Sequence, residues 1–224
     1  MSHNLIEGIQ LPDPSLAQRK VPWGTRFHFT GQIVLGDGPG RVVRTESHTE
    51  FTCCLCLASR PETAKIHEQV AFEWHDADGV VRTHYIDFLV EQTDGQRVAY
   101  TVRPEARVSE RFLDEVRQVA RQIRASGFAN DLRLLTDKDF DQTERFNAKL
   151  LHSVRQPDPE ADAAARKIVG DLRGIAPLAR LADEIALEAR GFRALVRLIR
   201  SGHLRLVNHE RIRPAAQVFK GGLV

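Results

Sequence analysis

His84-Tyr85-Ile86-Asp87-Phe88-Leu89-Val90 and, after the polar Thr93-Asp94-Gly95-Gln96, Val98-Ala99-Tyr100-Thr101-Val102-Arg103-Pro104 are the stretches whose reading decides the fold. Both runs alternate in character and are rich in β-branched and aromatic residues, and the segment between them carries a hairpin turn signal. Two antiparallel strands are therefore predicted. Strand side chains alternate faces, so Asp87 is expected to share a face with Tyr85 and Leu89, opposite Ile86, Phe88 and Val90. On the second strand Thr101 and Arg103 share one face, opposite Val98, Tyr100 and Val102. An acid on one strand thus lies beside a polar pair on its neighbour.

Working back from the hairpin, 64–70 and 71–74 read as extended segments, with a turn at Asp76-Ala77-Asp78-Gly79. Before them a helix is predicted, capped by Thr45 or Ser47 and stopped by Pro61. Glu50 is its odd member. Cys53, Cys54 and Leu57 lie at i+3, i+4 and i+7 from it, so this carboxylate falls along an apolar stripe. Read alone, it belongs at the margin of the stripe, in water; buried, it needs a partner or a cation. Further upstream, 27–30 and 32–35 look like a strand, Gly36 to Gly40 like a loop, and Arg41-Val42-Val43-Arg44 like a return to the sheet. Residues 1–20 read as an irregular arm with at most a short helical turn.

Working forward, 109–126 is an amphipathic helix with Phe112, Val116, Val119, Ala120 and Ile123 on one face and Gly127 as its C-cap. A strand at 132–136 and a helix at 140–154 follow. Strands, a helix and a further strand predict a mixed α/β domain with helices flanking a central sheet. Pro157 and Pro159 among polar residues suggest a linker, and so domains at 1–155 and 160–224. The second reads as three helices (160–172, 177–187, 192–201) followed by a strand at 203–207 and a turn at Asn208-His209. That is the order of a winged helix-turn-helix. Arg193, Arg197 and Arg200 fall at i, i+4 and i+7 on its last helix, opposite Leu195, Leu198 and Ile199, with Arg190, Arg205, Arg211 and Arg213 flanking. Such a face suits DNA phosphates or a docking partner; the plain alternative is a solvated helix face whose Arg stems cover apolar surface.

Composition sets limits. The chain has 224 residues, 42% hydrophobic and 28% charged, with a net charge of +2, so any nucleic-acid surface must be local. Cys53, Cys54 and Cys56 are too clustered for a disulfide framework and lack zinc spacing; they read as small apolar residues of a buried helix. His67, His75 and His84 form no clear ligand set, and neither a P-loop nor a serine-hydrolase elbow is present. No apolar run is long enough to span a bilayer and no signal peptide stands at the N-terminus, so a reducing, cytoplasmic setting is expected.

The chain resembles TnsA, the endonuclease subunit of heteromeric cut-and-paste transposases. The resemblance rests on Val21-Pro22-Trp23, Ser47-His48-Thr49-Glu50 opening a helix that ends in Cys56-Leu57, His67-Glu68-Gln69, Asp87-Phe88-Leu89-Val90, Thr101-Val102-Arg103-Pro104 and Thr136-Asp137-Lys138-Asp139, in that order. It implies a restriction-endonuclease-like core followed by a winged-helix domain. It implies an enzyme that cuts the 5′ ends of a DNA transposon beside a TnsB-like DDE transposase and a TnsC-like AAA+ regulator. By position, Glu50 and Asp87 would hold Mg²⁺ or Mn²⁺, with the Val102 carbonyl as a further ligand. The place of Glu50 on an apolar stripe is then expected, provided that stripe faces the active site.

The third motif departs from the pattern. The family expects Gln or Glu, any residue, then Lys; this chain has Thr101-Val102-Arg103. Thr101 is a short ligand, and Arg103 keeps the charge but does not give up a proton. The nearby Glu105-x-Arg107 follows Pro104, which disfavours its lying on the same strand. Two readings of the family follow: an active nuclease with a variant site, and a weakened or inactive subunit kept for its place in the complex. Outside the family, a DNA-binding adaptor without chemistry, a scaffold for the AAA+ protein, and a defence or repair nuclease remain open.

Overall fold

The computed structural model describes residues 5–6, 9–19 and 29–222; Val21-Pro22-Trp23, and Phe27-His28 of the first expected strand, lie outside them. The chain forms two units, Met1–Ala58 with Glu62–Phe140, and Ser59–Pro61 with Asp141–Val224.

The first unit opens with β1 (Leu5–Ile6) and β2 (Ile9–Gln10), a short antiparallel pair in place of a helical turn. Then come β3 (Gly31–Leu35), β4 (Arg41–Thr45), α1 (His48–Ala58), β5 (Thr63–His75), β6 (Val81–Gln92), β7 (Arg97–Val102), a 3-10 turn (Glu105–Arg107), α2 (Glu110–Ala125) and β8 (Asp131–Leu135). The strands β3 and β4 form a two-stranded sheet of their own, with Asp13 bridged to Arg41, so Arg41-Val42-Val43-Arg44 does not rejoin the main sheet. The central sheet runs β5-β6-β7-β8, antiparallel at its first two pairings and parallel at the third. The α2 crossover supplies the length that a parallel connection needs.

Ser109 caps α2, accepting from the Phe112 amide, and Gly127, at φ +69, ends it in the left-handed conformation that glycine adopts without strain. Val116, Val119, Ala120 and Ile123 pack with Phe72, Trp74, Ile86, Leu89, Ala99 and Leu132. Strict alternation would separate Ile86 from Leu89, yet both join this cluster. Opposite Asp87 in the β5–β6 ladder, Gln69 has φ +51, which interrupts the extended backbone of β5. Helix α1 packs on β3, β4, β5 and β7. Its three cysteines are free and buried, as small apolar residues should be.

The second unit comprises α3 (Gln142–Ser153), α4 (Pro159–Asp171), β9 (Ile175–Pro177), α5 (Leu178–Ile185), α6 (Glu188–Arg200), β10 (Leu204–Leu206) and β11 (Gln217–Lys220). Its sheet runs β10-β11-β9, antiparallel throughout. The prolines separate α3 from α4 as expected, but the division between units falls earlier, after Phe140. The reason is apolar: Leu151 of α3 and its C-cap Val154 join Leu181, Leu195, Leu198 and Val218 in the core of the second unit. Strand β9, only three residues long, carries too little pattern to be read in advance. Among the described residues no helix is long and apolar enough to cross a membrane.

Candidate active site

Asp87 sits on β6, one step beyond the Phe88–Tyr100 ladder pair, and so opposite Thr101. The Val102 amide donates to its Oδ2 at 2.7 Å, the Thr101 hydroxyl to the same oxygen at 3.3 Å, and Gln69 Nε2 to Oδ1 at 3.1 Å. Burial pushes the Asp87 carboxyl up to about 6, against the pull of these three donors and of the Arg19 charge.

Glu50 enters from α1. Ser47 Oγ accepts from the Glu50 amide at 3.1 Å and donates to Oε1 at 2.8 Å, while the Glu46 amide donates to Oε2 at 2.7 Å. This is a capping box shifted by one residue, and it explains locally why an acid stands at the start of this helix. It also removes the carboxylate from water: Glu50 is 7% exposed, not at a solvated margin. Burial first, and the Asp87 charge second, push it up to about 7. Two carboxylates from α1 and β6 therefore share one electrostatic site, in which the Asp87 charge makes Glu50 harder to ionise. A carboxylate offers about four lone-pair positions, so the hydrogen bonds leave acceptor capacity on both.

The rest of the expected set divides. Thr101 is buried and its hydroxyl is committed to Asp87. Val102 meets Asp87 through its amide. Arg103 turns elsewhere: Nε donates to the Arg107 carbonyl at 2.8 Å and the guanidinium lies 4.1 Å over the Phe112 ring. Among the described residues no ion pair joins it to either carboxylate. The Glu105-x-Arg107 pair lies in the 3-10 turn, off the strand.

The cation beside the acids is Arg19. The arm that carries it is fastened along β5 and β4: Ser15 Oγ and the Leu16 amide donate to Glu68 at 2.6 and 3.1 Å, Gln18 and Gln69 bond through their backbones at 3.1 Å, and the Ala71 amide donates to the Gln18 side chain at 2.7 Å. Glu68, fully buried, is neutralised by Arg41 at 2.6 Å. Arg19 then forks onto the Glu46 carboxylate and lies 5.3 Å over the Tyr85 ring. Neither Arg19 nor Gln69 stood out as a site residue in the sequence. Gln69 lies in a quoted motif, but nothing local marks its positive φ.

Among the described residues no cluster of three or more His, Cys, Asp or Glu converges to hold a metal ion. Two acids do converge, and a hard divalent cation accepts neutral oxygens to complete its shell. The Gln69 Oε1 atom is buried without a hydrogen-bond partner. A repelling carboxylate pair beside an unpaired amide oxygen is a donor set that fits such a cation.

The proposed basic face of α6 is divided as well. Arg193 and Arg205 are exposed and Arg200 partly so. Arg197 is not free: its Nε donates to Asp162 of α4 at 2.7 Å, and both side chains are largely buried. Arg190 is held by Asp158 and Glu160 at 2.8 and 2.7 Å.

No model of a known protein family matches the chain, and no curated protein matches it.

Proposed function

We propose that this chain is a TnsA-like, metal-dependent endonuclease acting on the 5′ ends of a DNA transposon. The single observation that carries the reading is that Glu50 of α1 feels the charge of Asp87 of β6, with Thr101 and Val102 of β7 against Asp87. The order α1-β5-β6-β7-α2-β8 around a mixed sheet suits a restriction-endonuclease-like core. The order α4-β9-α5-α6-β10-β11 suits a winged helix, with the exposed Arg193 and Arg205 placed for phosphates.

In this reading Glu50 and Asp87 hold Mg²⁺ or Mn²⁺, with the Val102 carbonyl as a further donor. When bound, the ion lowers the pKa of a water and stabilises charge on the scissile phosphate. Thr101 and the Val102 amide keep the Asp87 carboxylate aimed. Arg19, 39% exposed at its side chain, offers a guanidinium to an incoming phosphate. A TnsB-like DDE transposase and a TnsC-like AAA+ protein are the implied partners.

Arg103 supports a second reading. Its stacking on Phe112 leaves the third motif without its cation, as in a weakened or inactive subunit retained for the assembly. Strand-resolved cleavage of transposon-end DNA, with both partners and Mg²⁺ or Mn²⁺, separates the two. Cuts at the 5′ ends that vanish with Asp87→Ala support the active enzyme. Cuts only with Thr101→Gln combined with Arg103→Lys support the weakened one. Cuts indifferent to Glu50→Ala and Asp87→Ala overturn both.

A further inference from the structure

We infer that Gln69 is a third protein ligand of the divalent cation, its side-chain carbonyl taking the place that the short Thr101 cannot fill; this rests on the metal-dependent reading above. Two liabilities meet on this residue. Its φ of +51, in the middle of a 13-residue strand, is a conformation that L residues avoid. Strain of this kind persists where the surroundings enforce it, and it gathers at functional sites. Its side chain is also 1% exposed, with Oε1 buried and unpartnered. Buried amide oxygens are almost always paired.

The surroundings fix which way the amide points. Nε2 donates to Asp87 Oδ1 at 3.1 Å, and a flipped amide would set oxygen against carboxylate. The backbone carbonyl of Gln69 is occupied by the Gln18 amide, so the residue is clamped between arm and site. What remains is one neutral oxygen held next to a carboxylate whose neighbouring cation, Arg19, is forked onto Glu46. Thr101 is the poorer candidate, because its short side chain keeps the hydroxyl against Asp87 Oδ2. Amide carbonyls are ordinary ligands of hard cations. The donor set becomes Glu50 and Asp87 for charge, and Gln69 for a third, neutral oxygen.

The test is Mn²⁺ binding to the full-length chain, by calorimetry and by the loss of the free-ion paramagnetic resonance signal, together with melting temperatures with and without Mn²⁺. Gln69→Leu keeps the volume and removes the oxygen. It is expected to weaken Mn²⁺ binding by roughly tenfold or more, the lower range seen when support of a metal site is lost, while its metal-free melting temperature is maintained or raised. Gln69→Glu returns an oxygen and is expected to bind Mn²⁺ at least as tightly as the wild type. Gln69→Leu binding Mn²⁺ like the wild type, while Asp87→Ala loses it, overturns the role of Gln69 and leaves the metal site standing. A lower melting temperature with unchanged Mn²⁺ affinity assigns Gln69 a structural role and also overturns it. No Mn²⁺ binding by the wild type, or binding indifferent to Asp87→Ala, removes the metal site and this ligand with it.

Discussion

The Val102 amide donates to Asp87 Oδ2 at 2.7 Å, so the edge of β7 fixes the carboxylate of β6. That bond lowers the Asp87 pKa, yet burial outweighs it and the carboxyl stands near 6. An acid whose folded pKa is raised weakens the fold as it ionises. The penalty is absent below the unfolded value near 3.8, grows as pH rises, and is complete above about 6. Asp87→Asn is therefore expected to stabilise the metal-free protein at pH 8, by about 1–3 kcal/mol, and to give no gain at pH 4. Asn keeps an oxygen for the Val102 amide, and its NH₂ meets the Gln69 oxygen once that amide flips. Urea denaturation at the two pH values checks this.

Arg41 is expected to be the most costly charge to remove from the first unit. Its partner Glu68 is fully buried, and the Ser15 and Leu16 bonds alone do not neutralise it. Arg41→Ala should destabilise by about 3–5 kcal/mol. Arg41→Lys should recover only part, since an ammonium cannot reproduce the guanidinium fork. Because the arm rests on Glu68, limited trypsin digestion should cut at Arg19 in Arg41→Ala sooner than in the wild type.

The arginines of the second unit are expected to separate by role. Arg193→Ala and Arg205→Ala should leave the melting temperature unchanged and weaken DNA binding, each lowering the slope of log affinity against log salt by about one. Arg197→Ala should destabilise the fold instead, because it strands the buried Asp162. Fluorescence anisotropy over a salt series, beside thermal melts, distinguishes these effects.

Cys53, Cys54 and Cys56 are expected to resist iodoacetamide at pH 8 in the folded protein and to react fully in urea. All three are buried, and burial pushes the Cys54 thiol far above the ordinary range, so little thiolate is present to attack. Mass spectrometry of intact protein before and after unfolding reads the result.

The parts of the fold legible in the sequence were those written locally. The Asp87 hairpin followed from alternation and a Gly turn, α2 from its apolar face and Gly127, and α1 from a cap at Thr45 or Ser47, its apolar run and Pro61. That Asp87 lies beside a polar residue of the next strand followed from alternation; that the residue is Thr101 is set by the ladder register. The unit boundary did not, because the packing of Leu151 and Val154 is a tertiary choice that prolines do not record. Arg103 was placed by strand alternation, which ends at Val102; beyond it Pro104 and the 3-10 turn redirect the side chain to Phe112. Arg19 reaches the site only because the arm is fastened to β5 by contacts some fifty residues apart in sequence. The Arg197–Asp162 pair joins two helices, and a helical wheel of α6 alone cannot show it.

The most direct test of the account is anomalous diffraction from crystals of the protein grown with Mn²⁺. A manganese peak within about 2.0–2.5 Å of carboxylate oxygens of both Glu50 and Asp87 is predicted, the range of oxygen ligands around hard divalent cations. A map in which saturating Mn²⁺ leaves both carboxylates bare would contradict the claim that this pair is the centre of a metal-dependent nuclease.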